Sequence, residues 1–255
     1  MQSITTEKTI LFASDFHLGI PSYEDSKQRE RTVIEWLNKY ESQLEAIYFL
    51  GDVFDFWFEY KTAIPKGYTR LLGKLATLAD KGVKLTFFKG NHDMWMFDYF
   101  EKEFGASIVS NELLISINGK KVFMHHGDGL GPGDRSYKVL KWFFRSRTCQ
   151  WLFARLHPNF GLSIANYFSN KSRLANGVIL PYQGDEKESL WQYINELDAS
   201  LKADFYLCGH RHLPMEKTLP SGGKYINTGD WFEHFSYAAM NGTDIELKYN
   251  NGQKV

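Results

Sequence analysis

The chain of 255 residues has little cysteine, no long hydrophobic run and no excess of charge of either sign. Its two cysteines, Cys149 and Cys208, match no metal-ligand spacing, which predicts reduced thiols in a reducing compartment. The formal net charge is zero, so composition gives no reason to expect nucleic-acid binding. No run of 18 apolar residues exists, and no basic segment precedes an apolar stretch near the start. These absences predict a cytoplasmic protein without a signal peptide or membrane span, and no obligate protein partner is evident.

Short apolar runs alternate with helical patterns along most of the sequence. The composition is globular, with 43% hydrophobic and 24% charged residues. Strands that alternate with helices predict an α/β fold in which helices flank buried sheets. Helices are predicted at 24–42, 68–82 and 185–201, a hairpin at 112–128 turns at Asn118-Gly119, and antiparallel strands are predicted in the tail from 215.

One segment differs in composition from the rest. Between Arg135 and Gly184 there are eight Lys or Arg residues, no Asp or Glu, and many interleaved Trp, Phe and Leu residues. We expect an inserted, mostly helical subdomain at 134–184, with 1–133 and 185–255 forming the core domain. An apolar helical stripe also arises from ordinary packing, and for this segment alone that alternative stays open.

Five predicted strands end in side chains that commonly ligate metal ions. In a strand, residues two apart point to the same side, so Asp15 and His17 are expected to aim at one point. Ligands of open α/β sheets bind beyond the carboxyl ends of the strands. The convergence of five such ends therefore predicts a metal site rather than a set of solvated strand ends. These ends carry Asp15 and His17, Asp52 and Asp55, Asn91 to Asp93, His125 to Asp128, and His210 and His212.

The mixture of carboxylate, imidazole and amide ligands favours Mn²⁺, Fe²⁺ or Zn²⁺ over Ca²⁺ or Mg²⁺. There are enough ligands for two ions, and one carboxylate can bridge ions about 3.5–4 Å apart. A glycine precedes Asp52, Asn91 and His210, which predicts tight turns beside the ligands.

The ordered blocks D-x-H, G-D-x-x-D, G-N-H-D, H-G-D and G-H-x-H resemble those of the calcineurin-like metallophosphoesterases. The resemblance spans Asp15 to His212 and implies a double-sheet α/β sandwich flanked by helices, with a dinuclear metal centre. It implies two ligand sets and a bridge: Asp15, His17 and His212 for one ion, Asn91, His126 and His210 for the other, and Asp52 between them.

The same resemblance implies two divalent ions, Mn²⁺ first with Fe²⁺ or Zn²⁺ as alternatives, and two catalytic residues, Asp52 and His92. On this resemblance the ions would neutralise phosphate oxygens and activate water, while His92 would stabilise transition-state charge or protonate the leaving oxygen. His125 is expected to be a core residue beside the site. The remaining acids of the blocks are expected to support the metal ligands from behind, as hydrogen-bond acceptors, rather than to bind the ions themselves. They are Asp55, Asp93 and Asp128.

The insertion after the H-G-D block resembles the helical lid of the UDP-2,3-diacylglucosamine hydrolases of lipid A biosynthesis. That resemblance implies cleavage of the pyrophosphate of a nucleotide-linked diacyl sugar, releasing UMP and 2,3-diacylglucosamine 1-phosphate. A basic, aromatic lid also suits transient binding to the inner face of the cytoplasmic membrane. The residues implied to contact the substrate are Asp134, Tyr137, Asn170, Lys171 and Arg173.

One position departs from the best-known branch of these hydrolases, which has Arg after the Asn of the G-N block. Here that position is His92, which marks either a separate branch with the same activity or a relative with another substrate. The second hypothesis is therefore a soluble metallophosphoesterase that acts on nucleotides or other phosphodiesters and phosphomonoesters. A third hypothesis, a non-catalytic interaction module, predicts lost ligands, whereas every ligand position is filled.

Overall fold

Two six-stranded mixed sheets form the framework of the computed structural model, which describes residues 2–132, 135–165 and 181–250. One sheet has the strand order β1-β6-β7-β8-β10-β9 and the other β12-β11-β2-β3-β4-β5. The strands are β1 (Gln2–Ile4), β2 (Thr9–Ala13), β3 (Leu44–Phe49), β4 (Lys84–Phe88), β5 (Ser107–Val109), β6 (Leu113–Ile117), β7 (Lys120–His125), β8 (Phe205–Cys208), β9 (Met215–Thr218), β10 (Lys224–Asn227), β11 (Ser236–Asn241) and β12 (Asp244–Tyr249).

Six α-helices have defined bounds among the described residues, and three of them match helices predicted individually from the sequence. The six are α1 (Tyr23–Tyr40), α2 (Thr69–Asp80), α3 (Tyr99–Phe104), α4 (Arg135–Arg145), α5 (Arg147–Phe153) and α6 (Ser189–Leu201). The prediction at 24–42 matches α1 and the 3₁₀ turn Glu41–Gln43, and the prediction at 68–82 matches α2. The predicted helix at 185–201 begins with a separate 3₁₀ turn, Asp185–Lys187, before α6.

Both faces of the central strands are buried, which explains why they read as continuous apolar runs. In β2, Ile10 and Phe12 pack in the core between the two sheets, whereas Leu11 and Ala13 pack in the core under α1 and α2. On the outer face of the other sheet, Leu190 of α6 belongs to a third cluster. Burial on both faces is typical of strands covered by a helix layer and a second sheet. The predicted α/β double-sheet fold is therefore confirmed.

The strands of the C-terminal part differ in one respect from the prediction. β9 pairs antiparallel with β10, and β11 pairs antiparallel with β12, as expected. β10, however, pairs parallel with β8, because the chain runs first to the sheet edge as β9 and returns between β9 and β8. The predicted hairpin is confirmed: β6 and β7 are antiparallel, and Asn118 and Gly119 have φ of 49° and 79°.

The helices α4 and α5 lie in the segment between β7 and β8 and pack on loops of the other sheet. Phe144 and Phe153 contact a cluster that includes Phe58 and Trp95, and the Trp95 indole N–H donates to the Phe144 carbonyl at 2.8 Å. Within the described residues, no helix is long and apolar enough to cross a membrane. The domain boundaries at 134 and 184 stay a prediction, since residues 133–134 and 166–180 lie outside the described residues.

Candidate metal centre

The loops that follow β2, β3, β4, β7 and β8 meet at one end of the two sheets. β2 ends at Ala13, so Asp15 and His17 lie in a loop and not in the strand from which their common direction was predicted. The strand alternation used to predict that direction was therefore the wrong reason. Asp15 and His17 instead have left-handed backbones, with φ of 56° and 41°. Asp52, His210 and His212 share this conformation, with φ of 53°, 66° and 57°. Residues in such sparsely populated conformations persist where their surroundings hold them, and they cluster at functional sites.

The first predicted ligand set, Asp15, His17 and His212, lies together. The Asp15 Oδ1 atom is 3.1 Å from His212 Nε2 and 3.7 Å from His17 Nε2. The two Nε2 atoms are 3.3 Å apart. Two imidazole nitrogens and a carboxylate oxygen that face one another at these distances form a donor set that a transition-metal ion would accept.

The second predicted set lies beside the first. His126 Nε2 is 3.3 Å from Asp52 Oδ2 and 3.2 Å from Asn91 Oδ1, and His210 completes the group. The same Asp52 Oδ2 atom is 3.5 Å from His17 Nε2 in the first set. One carboxylate oxygen therefore adjoins both groups, which is the geometry expected of a bridging ligand.

The donor atoms fit bound cations because one buried carboxylate oxygen, Asp15 Oδ1, accepts no hydrogen bond from the described residues although imidazole nitrogens lie close to it. Asp15 is fully buried, and its Oδ2 atom accepts hydrogen bonds from the Ser14 hydroxyl and from the His210 N–H. Its Oδ1 atom accepts no hydrogen bond from the described residues. Buried carboxylate oxygens are nearly always paired, so this one is oriented for a ligand that the protein itself does not supply.

The electrostatics of the site also favour positive charge between the carboxylates. Burial lowers the pKa of His17, but Asp15 and Asp55 outweigh it and raise the pKa to about 10. Burial likewise lowers the pKa of His126, and Asp52 raises it to about 10. Burial lowers the pKa of His210 to about 4. The carboxylates therefore favour positive charge at these two imidazoles, in the place where divalent cations would neutralise the same carboxylates.

Groups behind the ligands fix the direction of the imidazole rings. His126 Nδ1 donates to the Leu50 carbonyl at 2.7 Å, and His17 Nδ1 lies 3.3 Å from Asp55 Oδ1. These contacts leave both Nε2 atoms facing the centre of the site. Asp93 has another function, because its carboxylate accepts backbone N–H groups from the Asp52 loop, among them Val53 at 2.8 Å.

His125 lies buried beside the site, whereas His92 lies at its partly exposed edge. The His125 Nδ1 atom accepts the Gly127 N–H at 2.8 Å, and burial lowers its pKa to about 3, as expected for a core residue beside the site. His92 is partly exposed at the edge of the centre, with its ring centroid 4.7 Å from that of His17. Its Nδ1 atom lies 3.0 Å from the Asp55 carbonyl oxygen.

A cavity of about 340 Å³ opens beside His92 and Asn91. Its walls are mostly apolar and come from two sources, the loops after β3 and β4 and the helices of the insertion. Phe56, Met94 and Trp95 come from the loops, while Leu140, Phe144 and Phe153 come from α4 and α5. Such a cavity next to polar groups is the usual form of a small-molecule site.

Of the five residues predicted to contact substrate, the structure describes only Tyr137. Tyr137 lines the cavity, and its hydroxyl donates to Asp128 Oδ2 at 2.5 Å. The other four, Asp134, Asn170, Lys171 and Arg173, lie outside the described residues. Arg211, between His210 and His212, donates to both oxygens of Glu188 at 2.8 Å.

Sequence reasoning missed Arg29, which supports the first ligand set from behind. It is buried, and its Nη1 atom donates to the carbonyls of His17 and Ile20 at 3.0 Å each. Its guanidinium carbon lies 3.9 Å from the ring centroid of Phe232, and that ring stacks on His212. The signal was present in the sequence, because Arg29 stands four residues before Val33 on the apolar stripe of α1.

The glycines next to the ligands are needed mainly for space. A Cβ atom on Gly90 would lie 2.0 Å from Asp52 Oδ1, and one on Gly51 would lie 2.4 Å from His126 Nδ1. Gly51 also has a φ of +100°, whereas the φ of Gly90 lies outside the left-handed region. The chain bends at these positions, and close approach of the backbone to the ligands is the stronger constraint.

We predict that Gly90→Ala retains the fold but loses bound metal, because its methyl group would displace the Asp52 carboxylate. Metal content after purification, measured by mass spectrometry, should fall about 10-fold or more, in the range seen when supporting contacts of metal ligands are lost. Gly73→Ala is the matched control, since that glycine lies in α2 and a methyl group added to it would have no neighbouring atom within 4 Å. Unchanged metal content in Gly90→Ala would contradict the role of Asp52.

Comparison with known proteins agrees with the motif blocks. Residues 8–214 match the family described as calcineurin-like phosphoesterase. A UDP-2,3-diacylglucosamine hydrolase of Porphyromonas gingivalis is 37% identical and aligns over 94% of this chain and 96% of its own length. A UDP-2,3-diacylglucosamine hydrolase of Shewanella halifaxensis is 26% identical and aligns over 93% of this chain and 96% of its own length.

Among solved structures, Vacuolar Protein Sorting 29 from Cryptosporidium parvum aligns over 94% of this chain and 89% of its own, with 11% identity and a TM-score of 0.46. The family predicted from the ordered blocks is confirmed by the match over residues 8–214. The chain belongs to the calcineurin-like phosphoesterase family.

Proposed function

We propose that this protein is a dinuclear-metal hydrolase that cleaves the pyrophosphate of UDP-2,3-diacylglucosamine, giving UMP and 2,3-diacylglucosamine 1-phosphate. The observation that carries the proposal is the pair of ligand groups sharing Asp52 Oδ2, with an apolar cavity directly beside them. The pair of groups supports hydrolysis of a phosphoric anhydride. The cavity, together with the name that the Porphyromonas gingivalis relative carries, supports a substrate with acyl chains.

We assign the first ion to Asp15, His17 and His212, the second to Asn91, His126 and His210, and the bridge to Asp52. When bound, divalent ions at these positions neutralise phosphate oxygens and lower the pKa of water. The mixed nitrogen and oxygen donors support Mn²⁺, with Fe²⁺ or Zn²⁺ as alternatives. No Ser or Cys nucleophile is required by this arrangement.

His92 is assigned to the reacting phosphate. A carbonyl oxygen can only accept, so the contact with the Asp55 carbonyl at 3.0 Å places a proton on His92 Nδ1. The Nε2 atom is then the one that meets the substrate, and it donates when the imidazole is protonated. The His92 backbone N–H also donates to Asp52 Oδ1 at 2.9 Å, which ties this residue to the bridging carboxylate.

The apolar cavity is assigned to acyl chains of the substrate. Its lining side chains, such as Leu140 and Phe144, come from the insertion, and its polar end is at Asn91 and His92. Burial of hydrocarbon gains about 25 cal/mol per Å² of apolar surface removed from water. A lipid-linked sugar would therefore be held with its chains in the cavity and its phosphates at the ligand groups.

The insertion also presents apolar side chains to solvent, and we assign this surface to the cytoplasmic membrane. Trp142 is 74% exposed and Trp151 is 57% exposed, with further exposed Val139, Phe143, Leu152 and Phe160. Basic residues accompany them in α4 and α5, a combination typical of proteins that bind anionic lipid surfaces. We therefore propose a cytoplasmic enzyme that binds the inner face of the membrane peripherally and transiently.

The first prediction concerns the products. With Mn²⁺ and UDP-2,3-diacylglucosamine, the purified protein should release UMP and the acylated sugar 1-phosphate, detected by chromatography and mass spectrometry. EDTA should abolish the release, and Asp52→Asn should abolish it with the fold unchanged by circular dichroism. Hydrolysis of a simple phosphodiester without UMP release would instead favour the second hypothesis, a soluble phosphoesterase with another substrate.

A second prediction separates His92 from the metal ligands. His92→Ala should lower the rate about 10²- to 10⁴-fold, the usual contribution of a general acid, while bound metal stays close to the wild-type amount. His157→Ala, which changes a histidine of the insertion away from the ligand groups, should leave both quantities unchanged. If metal content falls as far as activity in His92→Ala, His92 is a ligand.

A third prediction concerns the membrane. The double variant Trp142→Ser/Trp151→Ser should bind less to phosphatidylglycerol vesicles in a sedimentation assay, because two exposed indoles are lost from the insertion. Tyr23→Ser is the matched control, since Tyr23 is 69% exposed on α1 in the core domain. Equal vesicle binding by all three proteins would contradict the assignment of this surface.

A further inference from the structure

Lys141 stands out among the residues of the cavity because of its charge. It is the only Lys or Arg among the described residues that line the cavity. It lies on α4 one residue after Leu140, and its side chain is 15% exposed. The other described lining residues are apolar, or belong to the polar end at Asp55, Asn91 and His92, or are Tyr137 and Cys149.

The ammonium group of Lys141 is held at a defined place. Its Nζ atom is 2.6 Å from Asp128 Oδ2 and donates to the Asp128 carbonyl at 3.1 Å. The Tyr137 hydroxyl donates to the same Oδ2 atom. Asp128 is buried and follows His126 by two residues in the H-G-D block, so this anchor belongs to the same loop as a proposed metal ligand.

These contacts do not use all the donors of the ammonium group. Lys has three N–H donors, and the two contacts with Asp128 occupy two of them. Within the described residues no further acceptor contacts this group, which leaves the third donor for a molecule in the cavity that Lys141 lines. A cation with apolar neighbours interacts strongly with an anion, because little water is present to screen the charges.

The proposed reaction creates such an anion at this place. Water oxygen forms a new bond to one phosphorus, and the bond from that phosphorus to the bridging oxygen breaks. The bridging oxygen keeps the electron pair and leaves on the sugar phosphate, while the proton released from water passes to solvent. The sugar phosphate therefore gains negative charge as it leaves, on the side of the acyl chains.

We propose that Lys141 is a catalytic residue that contacts the phosphate remaining on the acylated sugar and stabilises the charge it gains. The inference rests on the proposed function and adds to it a residue that no motif block contains. Lys141 keeps its proton throughout and acts as a fixed positive charge. His92 and Lys141 then act on the substrate from different walls of the cavity, one in the loop after β4 and the other on α4.

The test compares two substrates that differ in their leaving groups. Lys141→Gln removes the charge but retains a donor for the Asp128 carbonyl, and Lys141→Arg retains the charge. Lys138→Met is the matched control, because Lys138 lies one turn earlier on α4 and donates to the Gly131 carbonyl outside the cavity. Each protein is assayed with Mn²⁺ on UDP-2,3-diacylglucosamine and on bis(p-nitrophenyl) phosphate, whose leaving group carries no phosphate.

We expect Lys141→Gln to lower kcat/KM for the nucleotide sugar about 10- to 100-fold, the range for loss of a charged hydrogen bond. Its kcat/KM for the nitrophenyl diester should change less than about 3-fold, and Lys141→Arg should recover much of the loss on the nucleotide sugar. Equal losses on both substrates would overturn the proposal and leave Lys141 as an anchor for Asp128. No loss on either substrate would overturn it as well.

Failure of the proposed function would be visible in the wild-type enzyme, before any variant is compared with it. Wild-type enzyme that cleaves the nitrophenyl diester but not the nucleotide sugar would overturn both the proposed substrate and the role of Lys141. Wild-type enzyme that cleaves both, with no selective defect in Lys141→Gln, would overturn the role of Lys141 alone. Circular dichroism of each variant shows whether its fold is intact. If Lys141→Gln is unfolded, Lys141→Met, which also removes the charge, takes its place in the comparison.

Discussion

The burial of two carboxylates, Asp15 and Asp52, at one end of the sheet sandwich is the constraint on which the other features of the site depend. A buried carboxylate is costly unless cations or hydrogen-bond donors surround it. The structure gathers imidazoles around the pair, and both Asp15 and Asp52 consequently have a pKa below the usual range despite their burial. Each of the other site loops is shaped to bring a donor to one of these two side chains.

The centre is shared between the two sheets. Asp15 and Asp52 follow strands of one sheet, whereas His126 and His210 follow β7 and β8 of the other. The His210 N–H donates to Asp15 Oδ2, and the His126 ring donates to the Leu50 carbonyl at the end of β3. The loops that hold ligands thus also join the sheets, so the same contacts serve the fold and the site.

Much of this arrangement was accessible from the sequence, for identifiable reasons. Double-sided burial makes the strands read as apolar runs, and the ligand types at their ends are rare enough to be noticed together. The local geometry was less accessible. Left-handed backbones at Asp15 and His17 depend on hydrogen bonds to the next loop, such as the His17 N–H to the Asp52 carbonyl at 2.9 Å.

Residues that act through long-range packing were also missed. Lys141 reads as one of several basic residues in a basic segment, and only the folded chain shows that it faces Asp128. Arg29 reads as a charged residue of an amphipathic helix, although its position on the apolar stripe was a usable signal. Contacts between residues far apart in the chain, such as Arg29 with Phe232, leave no local pattern in either segment.

The position of the insertion between β7 and β8 has a consequence for how such a protein can diversify. One wall of the cavity and most of the exposed aromatic surface belong to the insertion, whereas the backbone bonds among the ligand loops involve other segments. Substitutions in the insertion can therefore change which substrate is recognised while the metal-ligand loops keep their structure. Asp128 and Trp95 contact α4 from within ligand loops, and these contacts limit how far the two parts can vary independently.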